Sequence, residues 1–198
     1  IMDKQLIISI GREYGSGGLE IAERLSEIFD IPVYDKNIIE NIAAEKGVPE
    51  ESLAKYVEAP RKLLFSRSIG SHSNSPEEVV ADMEFSYIKE LAASGKSFIV
   101  VGRCSDELLR DYPGFVSIFV WAEWVMRIER LVLTEGYEVD EAERKMKKID
   151  KERKAYHDFF CESDWGERSS YDLCINAGKI GIDKAVEVIE NYIRTVVL

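Results

Sequence analysis

Five short apolar runs, interleaved with helix-like segments, constrain this 198-residue chain more than any other feature. The runs are Leu6–Ile10, Ile31–Tyr34, Ser97–Val101, Phe115–Trp121 and Tyr171–Ile175. They are rich in Val and Ile and show little polar alternation, the pattern of strands buried on both faces. Around them apolar residues recur at helical spacing. Ile21, Ala22, Leu25, Ile28 and Phe29 stripe Leu19–Phe29, and Ile182, Ala185, Val186, Ile189, Ile193 and Val196 stripe a C-terminal helix. Further helices are predicted over Lys36–Lys46, Glu50–Glu58, Pro76 to about Ser94, Glu123–Thr134 and the long polar stretch Val139–Phe160. Ser75, Pro76 and Glu78 read as a capped helix start, and Gly95 as a stop. The Ser/Gly/Asn tract Ser66–Ser75 has no period and is expected to be a mobile loop. No repeat or linker divides the chain. The fold expected is a single three-layer α/β domain with a parallel sheet. In such sheets ligands bind at the carboxyl ends of the strands, so the residues just after each run are the ones to question.

The glycine-rich segment after the first run carries the clearest chemistry. Gly11-Arg12-Glu13-Tyr14-Gly15-Ser16-Gly17-Gly18 holds four glycines in eight residues and leads into a helix. Glycines let the backbone approach a ligand closely and turn successive N–H groups toward phosphate oxygens, and the helix N-terminus adds partial positive charge. The loop departs from the motif G-x-x-x-x-G-K-[ST]. With Gly17 as its last glycine, Gly18 and Leu19 stand where the lysine and the hydroxyl belong. Arg12 and Lys36, the latter at the end of the second strand, are the candidate replacement cations. A dinucleotide fingerprint fits less well, although Asp35 lies where a ribose-binding acid would. Glu20 replaces the third small residue, and Gly15 stands too far from the strand end.

Other strand ends add charge suited to phosphate. Asp35-Lys36 ends the second strand, and Gly102-Arg103 ends the third, where arginine can grip phosphate with two N–H groups. The long polar helix carries Arg144, Lys145, Lys147, Lys148, Lys151, Arg153 and Lys154. These residues read either as a solvated, salt-bridged face or as a lid that brings cations over phosphates, which Arg127 and Arg130 could join. Trp165 reads as packing.

Composition bounds the partners. Apolar residues make up 45% of the chain, enough for a sizeable core. Lys plus Arg count 26 and Asp plus Glu 37, a net charge of −11 that disfavours nucleic acid. A compact anion would need local positive potential. Cys104, Cys161 and Cys174 include no C-x-x-C, and with only His72 and His157 there is no zinc spacing, so the thiols read as buried or idle in a reducing compartment. No signal peptide or membrane-length apolar run is apparent, and the expectation is a soluble, cytoplasmic protein with no membrane partner.

Taken together, Ile8–Gly18, Pro32–Lys36, Val101-Gly102-Arg103, Asp150-Lys-Glu-Arg153 with Tyr156, and Tyr171–Asn176 resemble the cytidylate kinase-like family across nearly the whole chain. The resemblance implies a P-loop NTPase core with a five-stranded parallel sheet, a helical NMP-binding insert over about 36–94 and a helical lid over about 135–166. It implies ATP with Mg²⁺ as donor and a nucleoside monophosphate such as CMP or dCMP as acceptor. Gly11 to Gly18 would hold donor phosphate, with Arg127 and Arg130 assisting. Asp35, Lys36, Arg103, Asp150 and Arg153 would bind the acceptor, and Arg12, Lys36 and Arg153 would supply catalytic charge. No protein residues are expected to form a dedicated metal site. The chain lacks the family's P-loop lysine, and it has no match to the acceptor-binding arginine after strand two.

Overall fold

The computed structural model describes residues 4–35, 37–47, 68–69, 72–73 and 76–198. Lys36, the helix expected over Glu50–Glu58 and the Ser75 cap lie outside those residues. The described elements are β1 (Ile7–Arg12), α1 (Gly18–Phe29), β2 (Val33–Tyr34), α2 (Asn37–Lys46), β3 (Ser68–Ile69), β4 (His72–Ser73) and α3 (Pro76–Ala93). They continue with β5 (Phe98–Val101), α4 (Ser105–Leu108), β6 (Phe115–Trp121), α5 (Trp124–Glu135), α6 (Val139–Phe160), a 3₁₀ turn at Arg168–Ser170, β7 (Leu173–Asn176), α7 (Ala177–Ile180) and α8 (Ile182–Val196).

Among the described residues, five strands lie side by side in the order β2, β5, β1, β6, β7, and every neighbouring pair is parallel. β1 is central and buried along its full length. Successive strand side chains alternate faces, so β1 feeds two apolar clusters. Leu6, Ile8 and Ile10 pack with Ile21 and Leu25 of α1 and Ile189 and Ile193 of α8. On the other face Ile7 joins Phe98 and Val100 with Ile38 and Ile42 of α2 and Val80 and Ile88 of α3. Helices therefore cover both faces, which is the expected three-layer α/β fold. Helices α5 and α6 stand apart on a small cluster of Leu131, Ala142 and Met146, against which Tyr14 and Trp124 pack.

Two details differ from the sequence reading. β1 continues two residues beyond its apolar run because β6 keeps pairing with it: Gly11 lies opposite Phe119 and Arg12 opposite Val120. This extension sets Arg12 at the carboxyl end of the central strand. The tract expected to be a structureless loop contains a short antiparallel pair, with Ser68 opposite Ser73 and Ile69 opposite His72. Gly70-Ser71 between them is a sequence that tight hairpins favour.

Candidate active site

The glycine loop is built around the side chain of Arg12. Gly15 and Gly17 hold φ of 81° and 87°, a region that side-chain-bearing residues avoid. Gly17 is the N-terminal cap of α1, and a Cβ there would run into Ile182 of α8. Gly18 answers a different need. A Cβ at that position would stand 2.5 Å from Arg12 Cβ. At the far end of the same side chain, a Cβ on Gly102 would collide with the Arg12 guanidinium. The stem of Arg12 thus passes Gly18 and its head rests over Gly102. No lysine stem fits at position 18, because Arg12 already fills that space.

Arg12 is 9% exposed, and its guanidinium lies 3.5 Å from Asp35 Oδ1. Arg153 of α6 donates to the Arg12 carbonyl at 3.1 Å. Arg103 lies in a left-handed run, Gly102, Arg103 and Cys104, with φ of 76°, 60° and 56°. Its guanidinium faces Glu84 of α3 at 3.4 Å, and both side chains are 1% exposed. The sequence reading offered a surface ion pair as the alternative for Arg103; the ion pair exists, but in the interior. Tyr156 donates to the other Glu84 oxygen at 3.3 Å. Burial, then the Glu84 charge, pushes the Tyr156 phenol far above its ordinary range.

Arg12, Arg103, Arg153 and Tyr156 line a cavity of about 30 Å³ between the carboxyl ends of β1 and β5. That is about the volume of one liquid water. Asp106, paired with His157, lines it too, while Asp35 and Glu84 face Arg12 and Arg103. Three guanidinium groups gathered at one strand edge suit an anion.

The second half of the site joins α5 and α6 to the loop through Tyr14. The Tyr14 N–H donates to Asp150 Oδ1 at 2.7 Å, and its carbonyl accepts from Arg127 Nη1 at 3.1 Å. Arg153 lies over its ring, 5.8 Å from the centroid. Arg127 also donates to Asp150 Oδ2 at 2.5 Å and lies 3.6 Å from Glu13 Oε2. Burial raises the Glu13 carboxyl against the opposing pull of Arg127 and of the Ala122 N–H. Asp150 therefore places a carboxylate on a loop amide. Ser16 donates its N–H and its hydroxyl to the Glu13 carbonyl, tightening the turn. Arg130 pairs with Glu20 at 2.5 Å and lies beside Gly17, outside the arginine cavity.

The structure brings Arg12, Asp35, Arg103, Asp150 and Arg153 together with the loop and Arg127. It divides the basic cluster of the long helix. Lys145, Lys147, Lys148 and Lys154 pair with Glu141, Glu143, Glu152 and Asp158 one turn away, which is the solvated-face alternative. Of the cluster, Arg153 is the residue that reaches the cavity. Trp165 packs edge-on against Phe119, as expected. Glu84 escaped the sequence reading, though a signal was present: it stands four residues from both Val80 and Ile88, on the buried face of α3. Asp106 and His157 also escaped it; their polar atoms lie 2.8 Å apart across a 51-residue separation that no local pattern encodes.

A match to the cytidylate kinase-like family spans residues 7–179. The chain belongs to the cytidylate kinase-like family. Relatives include a cytidylate kinase of Methanopyrus kandleri, 26% identical over 93% of this chain and 91% of that protein. A cytidylate kinase of Saccharolobus islandicus is 25% identical over 96% of this chain and 92% of its own length. Among solved structures, a protein of Eubacterium ventriosum described as uncharacterised is 34% identical, with a TM-score of 0.76, covering 96% of this chain and 99% of that one. A shikimate kinase of Bacteroides thetaiotaomicron shares the fold at a TM-score of 0.57 and 14% identity, over 96% and 98% of the two chains. The fold and family are thus those of nucleotide-dependent kinases. Among the described residues, no helix is long and apolar enough to cross a membrane.

Proposed function

We propose that this protein moves the γ-phosphate of ATP to a nucleoside monophosphate, of the CMP or dCMP kind, or to a related small acceptor. The observation that carries the reading is the placement of Arg12, whose stem passes Gly18 of the glycine loop and whose guanidinium stands over Gly102 beside Asp35. In this reading Arg12 supplies, from the strand side, the charge of the missing lysine. Phosphoryl transfer asks mainly for positioning and charge neutralisation, which fixed guanidinium groups supply. In this reading the amides of residues 14–18 and the N-terminus of α1 hold donor phosphates, with Arg127 and Arg130 behind them. Arg103 and Arg153 take the acceptor phosphate, and Asp35 orients the acceptor. Lys36 would add charge from beyond β2.

The fit of ATP rests on the glycine positions, which hold the loop open to close backbone approach. Magnesium would arrive on the nucleotide and keep mostly phosphate and water ligands. Among the described residues, no group of three or more His, Cys, Asp or Glu side chains is placed to hold a metal. The cavity of about 30 Å³ is small, and in this reading the segment over about 135–166 moves as a lid to admit the acceptor. The segment over about 36–94 would be the acceptor-binding insert.

The test is ADP formation by purified protein with ATP, Mg²⁺ and a panel of nucleoside monophosphates and small alcohols. Turnover with at least one acceptor is expected, and Arg12→Met should lower kcat about 100-fold or more, as for loss of a charge-stabilising donor. A second reading, a nucleotide-binding regulator without turnover, draws on the same loop, since Asp150 already occupies the Tyr14 amide. Calorimetric ATP binding with no ADP formed across the panel would decide for it.

A further inference from the structure

One wall of the arginine cavity is built from Cys104, Asp106 and His157, which the proposed phosphate binding does not use. The turn after β5 and the C-terminal end of α6 are joined by three adjacent contacts. Asp106 meets His157 at 2.8 Å, with both side chains 5% exposed. Glu107 accepts from the amides of Glu162 and Ser163 at 2.9 and 3.1 Å, and from the Ser163 hydroxyl at 2.8 Å. These contacts bracket two cysteines on the facing segments: Cys104, two residues before Asp106, and Cys161, the residue before Glu162. Cys104 is 3% exposed, whereas Cys161, which caps α6, is partly open to solvent. One thiol is thus reachable, a second is buried on the facing segment, and a histidine fixed by a carboxylate stands one turn before the reachable one.

We infer that Cys161 is an oxidation site and Cys104 its resolving thiol, the pair forming a disulfide when the protein meets a hydroperoxide. The Cys161 thiolate attacks one peroxide oxygen. A bond forms between sulfur and oxygen, the O–O bond breaks, and the leaving hydroxide or alkoxide takes a proton to become water or an alcohol. Sulfur loses two electrons and the peroxide gains them. The Cys104 sulfur then attacks the Cys161 sulfenic acid. The S–S bond forms, the S–O bond breaks, and the hydroxyl leaves as water with the Cys104 proton.

The division of labour follows from the surroundings. Cys161 is brought down to about 7 by the Cys104 hydrogen bond first and by His157 next, against burial and the Asp106 charge. Cys104, the donor in that contact and deeply buried, is pushed strongly upward and waits protonated. His157 is itself held up at about 10: burial opposes its charge, but Asp106 and Cys161 overcome that. A low-pKa, accessible thiolate next to a second cysteine is the arrangement that peroxide oxidises selectively. Asp106–His157 and Glu107–Ser163 already hold the two segments together, which favours closing the bond.

The experiment treats the purified full chain with hydrogen peroxide and then maps its peptides by mass spectrometry. A Cys104–Cys161 link is expected, reversed by dithiothreitol, with Cys174 still free. Cys104→Ser should leave Cys161 as a sulfenic acid that dimedone traps, and Cys104→Ala repeats the test should the serine disturb packing. His157→Asn should slow Cys161 oxidation about 10-fold or more. The inference is overturned if peroxide leaves wild-type Cys104 and Cys161 unlinked, or if Cys174 oxidises first. These readouts involve no nucleotide, so the result is independent of phosphotransfer.

Discussion

At the scale of single residues, one position that looks like a loss in the sequence is explained by what it makes room for. Gly18 removes a lysine stem, and the space admits Arg12. Gly18→Ala should therefore destabilise the protein by about 1–3 kcal/mol, the usual effect of forcing a methyl group into packed structure. Urea unfolding measures this, and an unchanged midpoint would show that Arg12 can move aside. The same substitution should weaken ATP binding, because Arg12 must shift from the loop. Cys161 gives a prediction in pH. Its pKa of about 7 lies below the ordinary 9.0, so its contribution to stability is present above about pH 9 and is lost as the pH falls through about 7. Only the thiolate alkylates, so the rate of Cys161 with iodoacetamide should rise with a midpoint near pH 7. Cys174, raised by burial and then by Glu167, should stay slow until the solution is more alkaline than 9.0. In His157→Asn the Cys161 midpoint should move upward, and a midpoint that stayed near 7 would show that the histidine is not responsible.

At the scale of elements, much was legible because the signals were local. The β-branched runs located the strands, and the long polar helix expected at about Val139 to Phe160 occupies Val139–Phe160. What sequence could not convey is which helix reaches which loop. The contact between Asp150 and the Tyr14 amide spans 136 residues, and that between Arg127 and Tyr14 spans 113. Nothing in the periodicity of α6 separates Arg153, which turns to the cavity, from the lysines that pair along its outer face. Likewise α4 and α7 are four residues each, too short to show a helical period. The α6–loop contact carries a prediction of its own. Asp150→Asn keeps an acceptor for the Tyr14 N–H but removes the charge that faces Arg127. It should cost about 1.5–3 kcal/mol, the range for a hydrogen bond to a charged group. Hydrogen exchange at the Tyr14 amide should speed up accordingly. ATP should bind more tightly to the variant than to wild type, since carboxylate and phosphate compete for the same N–H; weaker binding would show that Asp150 contacts the nucleotide favourably.

At the scale of the whole molecule, a net charge of −11 and a cavity lined by arginines must be reconciled. They are, because the charges are segregated by depth. Arg12, Arg103 and Arg127 are buried around the carboxyl ends of the strands, whereas Lys145, Lys147, Lys148 and Lys154 of α6 are paired along its surface with acids one turn away. A long polyanion meets the acidic exterior and is repelled over its length. In the proposed function a mononucleotide, once the lid has moved, is compact enough to reach the buried guanidinium groups, where low local dielectric would strengthen each contact. Thermal unfolding separates these cases. A ligand at 100 times its dissociation constant stabilises a protein by about 2.7 kcal/mol. For a chain of this size that corresponds to a rise in Tm of about 5–11 °C. Mg²⁺-ATP and one nucleoside monophosphate should each produce such a rise, and single-stranded or duplex DNA at equal phosphate concentration should produce none. The nucleotide shift should shrink in Arg103→Met relative to that variant's own baseline. If DNA gave the larger shift, segregation of charge by depth would not be what selects the ligand.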